Sequence, residues 1–311
     1  MGLIRSIRFA VSVAVIPVMS ACSTTGDLPR STSPAGETPA GQTSAGLAPG
    51  LYLLEVETGT ATQLPGVPAG ANASEAAVSP DRTRIAFASD LEGSLQIWTV
   101  NLDGSDLRRV TDDLEAVSPT WSPDGTQLAF VGFGDGTSRQ LLVTDLEGDE
   151  VEVVTDEAED VFGADWSPDG ASILYQVRRD DGSFDLRSVD IGTGRSVTLC
   201  CGGASIAADA DWAPDMRLIA FDHQPTPDVN FALYTIAPDG TDMAPLGPPD
   251  PSRYHGHPVF SPDGTRVAYQ GGPGVWVLDL TSGQEREIHP LMWGPTWLDD
   301  DTLIAEIPPG L

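Results

Sequence analysis

The chain has 311 residues, 40% of them hydrophobic, which is enough for one large core or two ordinary ones and excludes disorder of the whole. Asp and Glu number 46 against 16 basic residues, all arginine, so a formal charge of −30 repels phosphate backbones and excludes DNA and RNA as partners. With 33 glycines and 26 prolines, long helices are disfavoured and turns are frequent, which points to an all-β protein.

Residues 1–21 read as an export signal: Arg5 and Arg8 precede an apolar run from Phe9 to Met19 that is too short for a permanent membrane span. Met19-Ser20-Ala21-Cys22 resembles the bacterial lipobox. That resemblance implies cleavage before Cys22, a diacylglyceryl thioether on its sulfur, and a protein exported and held on the cell membrane, facing the periplasm or the exterior. An ordinary secretory signal with an incidental cysteine is the alternative. Residues 22–49 form a Ser/Thr/Pro/Ala/Gly tether with three charges, Asp27, Arg30 and Glu37, and no aromatic residue. Such a segment buries too little to order itself, and its reach of roughly 25–30 Å lets a folded body stand off the lipid.

Residues 50–311 carry two recurring marks. An apolar residue followed by Ser-Pro-Asp or a relative recurs at Val78–Asp81, Trp121–Gly125, Trp166–Gly170, Trp212–Asp215 and Phe260–Gly264, with a degenerate sixth copy at Trp297–Asp300. The prolines step by 43, 45, 46 and 48 residues, the length of one four-stranded propeller blade. Proline presets φ for the second turn position and aspartate bonds back to the backbone, so each copy predicts a hairpin into a strand such as Ile85–Phe87 or Leu128–Phe130. A hairpin glycine recurs at Gly59, Gly104, Gly148, Gly194, Gly240 and Gly283, each after an apolar strand.

The two series are offset. The first glycine hairpin, Leu51 to Leu64, has no inner hairpin before it, and the last inner hairpin, Met292 to Ile307, has no outer hairpin after it. Paired, they complete a sixth blade shared by the N- and C-terminal segments and remove the open sheet edges. The expected fold is an all-β, six-bladed β-propeller of four-stranded antiparallel blades.

These copies, best seen in Trp121 to Phe130, resemble the TolB-like, or WD40-like, propeller repeat of bacterial envelope proteins. The resemblance implies the propeller fold over the whole body from Leu51 and a choice of roles, since the repeat occurs in colicin-translocation proteins, peptidase gating propellers and some polysaccharide lyases. Where TolB carries a mixed α/β domain before its propeller, this sequence has a signal and a tether, and it shows no G-x-S-x-G nucleophile elbow, which argues against a peptidase.

Candidate chemistry is sparse. His255 and His257 stand two apart on an innermost strand, a spacing that points both side chains one way and lines the channel mouth. Metal-dependent oligogalacturonate lyases of related fold use histidines near such strands, so the pair is a candidate metal site, against solvated or hydrogen-bonded histidines. Asp112, Asp113, Glu115, Asp156, Glu159 and Asp160 lie in loops leading into inner strands, a rim that would take a divalent cation such as calcium, or a basic partner, against a merely solvated acidic face. No segment matches a twelve-residue calcium loop. Cys200 and Cys201 are a vicinal disulfide or two reduced, buried thiols. The tryptophans recur at the blade period, so packing between blades explains them better than carbohydrate stacking. The expected function is that of a non-catalytic, monomeric envelope lipoprotein without a required cofactor. It would bind an envelope protein or small ligand, the alternative being a metal-dependent, lyase-type carbohydrate-active enzyme centred on His255 and His257.

Overall fold

The Pro-Asp turns close through their own side chains. Ser79 donates its hydroxyl proton to Asp81 Oδ1 at 2.7 Å, the same oxygen accepts the Thr83 N–H at 3.1 Å, and Ser79 Oγ accepts the Arg84 N–H at 2.9 Å. The serine–aspartate bond repeats at Ser122–Asp124, Ser167–Asp169 and Ser261–Asp263. These hydroxyl bonds, and for Asp169 first of all the Ala171 N–H, hold the four carboxyls below the ordinary aspartate range.

The hairpins build six sheets in a computed structural model that describes residues 47–112, 115–133, 138–203, 205–247 and 253–309. The signal segment, Cys22 and the tether up to residue 46 lie outside the described residues. The chain enters through β1 (Gly50–Glu55) and β2 (Ala61–Gln63). Blade one is β3 (Ala73–Val78), β4 (Arg84–Ser89), β5 (Gln96–Asn101) and β6 (Arg108–Arg109). Blade two is β7 (Ala116–Trp121), β8 (Gln127–Phe133), β9 (Arg139–Asp145) and β10 (Val151–Val153). Blade three is β11 (Val161–Trp166), β12 (Ser172–Arg178), β13 (Phe184–Asp190) and β14 (Ser196–Cys200). Blade four is β15 (Ile206–Trp212), β16 (Ile219–Gln224), β17 (Ala232–Ile236) and β18 (Ala244–Pro245), joined to blade three by a single parallel bridge, Phe184 to Ile206. Blade five is β19 (His255–Phe260), β20 (Arg266–Gly271), β21 (Gly274–Asp279) and β22 (Glu285–His289).

The sixth sheet takes both chain ends. β23 (Trp293–Trp297) and β24 (Thr302–Ile307) pair with each other, and β1 lies antiparallel to β24 from Gly50 opposite Ile307 to Glu55 opposite Thr302, giving the order β2-β1-β24-β23. Each innermost strand neighbours the next around the ring, and β23 returns to β3. The expected closed ring with a shared blade is therefore the observed one.

The core lies between blades. Trp121 packs among Ala86, Ala88 and Ile97 of blade one and donates its indole N–H to Ala77 O at 3.1 Å. Trp297 does the same to Val259 O at 3.0 Å. The arginine that follows the preceding blade's turn covers the ring, Arg84 at 4.9 Å from Trp121 and Arg266 at 5.0 Å from Trp297. These tryptophans join one blade to the next and offer no stacking face to a sugar.

Gly148 has φ +77°, and a Cβ built there would stand 2.0 Å from Val110 O on the neighbouring blade. Gly148→Ala therefore combines a left-handed backbone with a backbone clash. The expected cost is about 1–3 kcal/mol, a fall of several degrees in melting temperature by calorimetry. An unchanged melting temperature would show that the blades part there at no cost.

Candidate functional site

Each innermost strand breaks its pairing at one place. The register shifts between Ser74 and Ala77, Val117 and Thr120, Phe162 and Asp165, Ala208 and Asp211, Gly256 and Val259, and Trp293 and Thr296. The bulged residue lies in every case three positions before the turn's apolar residue, at positive φ: Glu75, Ser118, Gly163, Asp209, His257 and Gly294, all between 41° and 59°. A bulge turns its residue out of the blade plane, and six of them around a ring turn into the channel.

The contacts show that these side chains share the axis. Glu75 Oε2 accepts the Ser118 N–H at 2.5 Å and its hydroxyl at 3.3 Å. His257 Nε2 lies 3.2 Å from Asp209 Oδ2. Glu75, from blade one, also feels the charges of His257 and Asp209 from blades five and four, across the ring.

At the two glycines, a residue of the second strand fills in. A Cβ on Gly163 would come within 2.3 Å of Gln176 Oε1, and one on Gly294 within 3.7 Å of Glu306 Cδ. Gln176 and Glu306 occupy one register position of their blades, opposite Phe162 and Trp293. The same position holds Ala88 and Val131 in blades one and two, but Asp222 and Gln270 in blades four and five. The channel is thus lopsided, apolar behind blades one and two and polar behind blades three to six.

The electrostatics follow. Burial pushes the Glu306 carboxyl up to about 8, with the charge of Glu75 acting the same way and the Glu75 N–H against it. Burial and then the charge of Asp209 raise Asp222 well above the carboxylate range, and Asp222 is 1% exposed with Oδ1 bonded to nothing among the described residues. The channel wall raises Glu75 as well, against the bonds from Ser118. Burial, followed by the charges of Asp222 and Asp209, raises the phenol of Tyr254.

One layer along the same strands, polar side chains tie blade to blade. Thr120 Oγ1 accepts the Trp166 N–H at 3.3 Å, Asp165 Oδ2 the Trp212 N–H at 2.9 Å, and Asp211 Oδ2 the Phe260 N–H at 2.8 Å. Burial lifts Asp165 to about 7 against the bonds from Trp212 and Thr120, and lifts Asp211 with help from the charge of Asp165.

The residues singled out in the sequence lie apart from one another. His255 is 4% exposed, accepts the Arg253 Nε–H at 3.1 Å and meets the Tyr269 ring edge-on at 5.4 Å. His257, on the bulge, goes to Asp209, so strict alternation fails there and the two imidazoles take different partners. Among the described residues no three His, Cys, Asp or Glu side chains converge to hold a metal ion. Two of the acidic loop residues meet arginines, Asp112 with Arg109 at 2.8 Å and Glu115 with Arg139 at 2.9 Å, while Asp160 Oδ1 accepts the backbone N–H of Arg139 at 2.9 Å. Glu159 lines a shallow depression with Arg179, Asp181 and Ser183, Asp156 is exposed, and Asp113 lies outside the described residues.

Cys200 and Cys201 have their sulfurs 2.14 Å apart, the placement of a vicinal disulfide, with Cys201 Sγ 3.8 Å from His223 Nδ1. Reduction is expected to raise the intact mass of the chain by about two daltons, the two hydrogens added across the bond. An unchanged mass would mean free thiols. Of the six bulge residues only His257 stands out in the sequence. The signal that marks the others is the constant offset of three residues before each turn.

Residues 113–247 match the TolB β-propeller domain family. The chain is 34% identical over 117 residues to the uncharacterized peptidase YuxL of Bacillus subtilis, covering 35% of this chain and 18% of that protein. It is 26% identical over 272 residues to dipeptidyl-peptidase 5 of Porphyromonas gingivalis, 75% of this chain and 37% of that one. The solved structure of a putative TolB from Agrobacterium tumefaciens superposes with a TM-score of 0.69 at 19% identity, over 84% of this chain and 99% of that one. The chain spans less than half the length of these two curated relatives. The family match covers less than half of the chain, and the likeness to the solved structure shows the same propeller fold.

Proposed function

We propose that the protein is a non-catalytic binding module of the cell envelope, lipid-anchored through Cys22, that captures a protein or small ligand at the mouth of its channel. One observation carries this reading. Several outer carboxylates, among them Glu92, Asp112, Glu115 and Glu157, are met by arginines, whereas among the described residues no arginine pairs with Glu75, Asp209, Asp222 or Glu306. Carboxyl groups kept in a closed ring without arginine partners suit a site that a partner completes. The peptidase relatives share with this chain a stretch shorter than half their own length, and the module they have in common is a propeller.

Two experiments test the reading. Cys22→Ser is expected to move the protein from the membrane to the soluble fraction, and continued membrane attachment would refute the lipid anchor. Crosslinking in envelope extracts with that soluble chain is expected to recover a partner that Glu75→Gln with Asp209→Asn loses. Equal recovery by both would place the binding face elsewhere.

A further inference from the structure

The chain carries three cysteines, and the two in the propeller stand side by side where it leaves β14 for β15. Cys200 and Cys201 are half-buried, and Gly202 and Gly203 after them are exposed. A Cβ built on either glycine would meet nothing within 4 Å, so the approach to the pair is open. Cys201 holds φ +86°, a left-handed conformation that residues with a Cβ rarely adopt. A bond between sequence neighbours also closes the smallest loop a chain can form, so it restricts the unfolded chain very little. Both features leave this disulfide with little to hold it closed.

His223 sets the direction of cleavage. Its Nδ1 lies 3.0 Å from Ile206 O, and since a carbonyl only accepts, Nδ1 carries the hydrogen. The same N–H stands 3.8 Å from Cys201 Sγ, and Tyr234 meets the ring edge-on at 5.1 Å. Burial lowers the imidazole against the Ile206 bond, so the ring is neutral at neutral pH and Nδ1 is its donor. A thiolate accepts a stronger hydrogen bond than a disulfide sulfur does, which makes Cys201 the better leaving group.

We propose that Cys200 and Cys201 form a thiol-exchange site for an external dithiol, opened by attack on Cys200 with Cys201 leaving toward the His223 Nδ1–H. A thiolate of the dithiol bonds to Cys200 Sγ, the bond between the two cysteines breaks, and its electron pair goes to Cys201 Sγ. The second thiol of the reagent then attacks the reagent's own sulfur in the mixed disulfide and expels Cys200. The dithiol is oxidised by two electrons to an internal disulfide, the pair is reduced, and the reagent's two protons end on Cys200 and Cys201. A monothiol fails at the second step, because Cys201, one residue away, recloses the ring before a second molecule arrives. The site is independent of the binding reading of the channel.

The soluble Cys22→Ser chain, closed with oxidised glutathione and then treated with millimolar dithiothreitol at neutral pH, tests the proposal, its thiols read by alkylation and intact mass. Opening is expected in the folded chain, at about the rate seen in urea. His223→Phe, which keeps a ring and removes the donor, is expected to slow it about three- to tenfold, the loss of a hydrogen bond to a developing thiolate. Should that variant fold poorly, the parent alone decides: once reduced, Cys201 is expected to alkylate several-fold faster than Cys200 in fragment mass spectra. A Cys-x-x-Cys protein dithiol at the same concentration separates sources: faster opening marks a protein reductant, slower opening a small one. A pair that oxidised glutathione cannot close, opening only when the chain unfolds, equal rates for the parent and a folded His223→Phe, or equal alkylation of the two sulfurs would each overturn the proposal.

Discussion

Deletion of residues 50–66 is expected to abolish cooperative melting of the remaining chain near room temperature. The segment carries β1 and β2, and it buries Leu51, Tyr52, Leu54, Val56 and Leu64 to 4% exposure or less. Each is worth about 1.5–3 kcal/mol, a total comparable with the roughly 5–15 kcal/mol that stabilises an entire domain. The deletion also bares the edge of β24 along six paired residues. Blade five loses a clasp, because Arg286 donates to Val56 O at 2.6 Å and to Glu57 O at 3.1 Å. A milder form of the same test is Leu54→Ala, expected to cost about 2–5 kcal/mol because the side chain is fully buried. Superimposable melting curves for the deletion and the parent would show that the ring holds without its shared blade.

The second large effect is on pH. In the unfolded chain Glu306 and Asp165 titrate near 4 (about 4.3 and 3.9), whereas in the fold they hold their protons up to about 8 and about 7. Between those limits the folded state binds more protons than the unfolded state, so stability is highest at the acid end and falls as pH rises, levelling once the folded values are passed. The turn aspartates act oppositely. Asp81, Asp124, Asp169 and Asp263 are held below their ordinary range, so their contribution is present above about pH 4 and lost as pH falls through the lowered values. The two trends together place maximum stability near pH 5, with a fall of roughly 5–10 °C in melting temperature by pH 8, from a few kcal/mol of linkage. Glu306→Gln, which keeps the shape and removes the proton, is expected to flatten the alkaline side of the curve and leave pH 5 unchanged. Parallel curves for variant and parent would mean that Glu306 is ionised in the fold like any surface carboxylate.

The ring was legible in the sequence because its punctuation is local. A Pro-Asp turn or a hairpin glycine is set by neighbours within a few residues, and the offset between Gly59 and the degenerate copy at Trp297–Asp300 already implied the shared blade. The tryptophans were legible as packing for the same reason: they repeat with the blade. The channel was not, because its members are related across blades. Glu75, Ser118, Asp209 and His257 are separated by 43, 91 and 48 residues and become one group only when the ring closes. Gln176 and Glu306 reach that group through Gly163 and Gly294, where a missing side chain on one strand admits the side chain of the next. His255 and His257 take different partners because of a single backbone feature, the bulge at His257, which breaks the period of two. The partners of the acidic loop residues are remote in sequence, as when the Arg139 guanidinium meets Glu115 and its backbone N–H meets Asp160.

The claim on which the function rests is that the channel holds carboxyl groups that no arginine meets, and the Glu306 carboxyl is its most direct witness. A carbon-detected NMR titration of that group in the parent protein is expected to give a midpoint near 8. A midpoint of about 4.3 would mean that the carboxylate is already solvated or paired, and the account of the channel as holding buried carboxyls without arginine partners would be wrong.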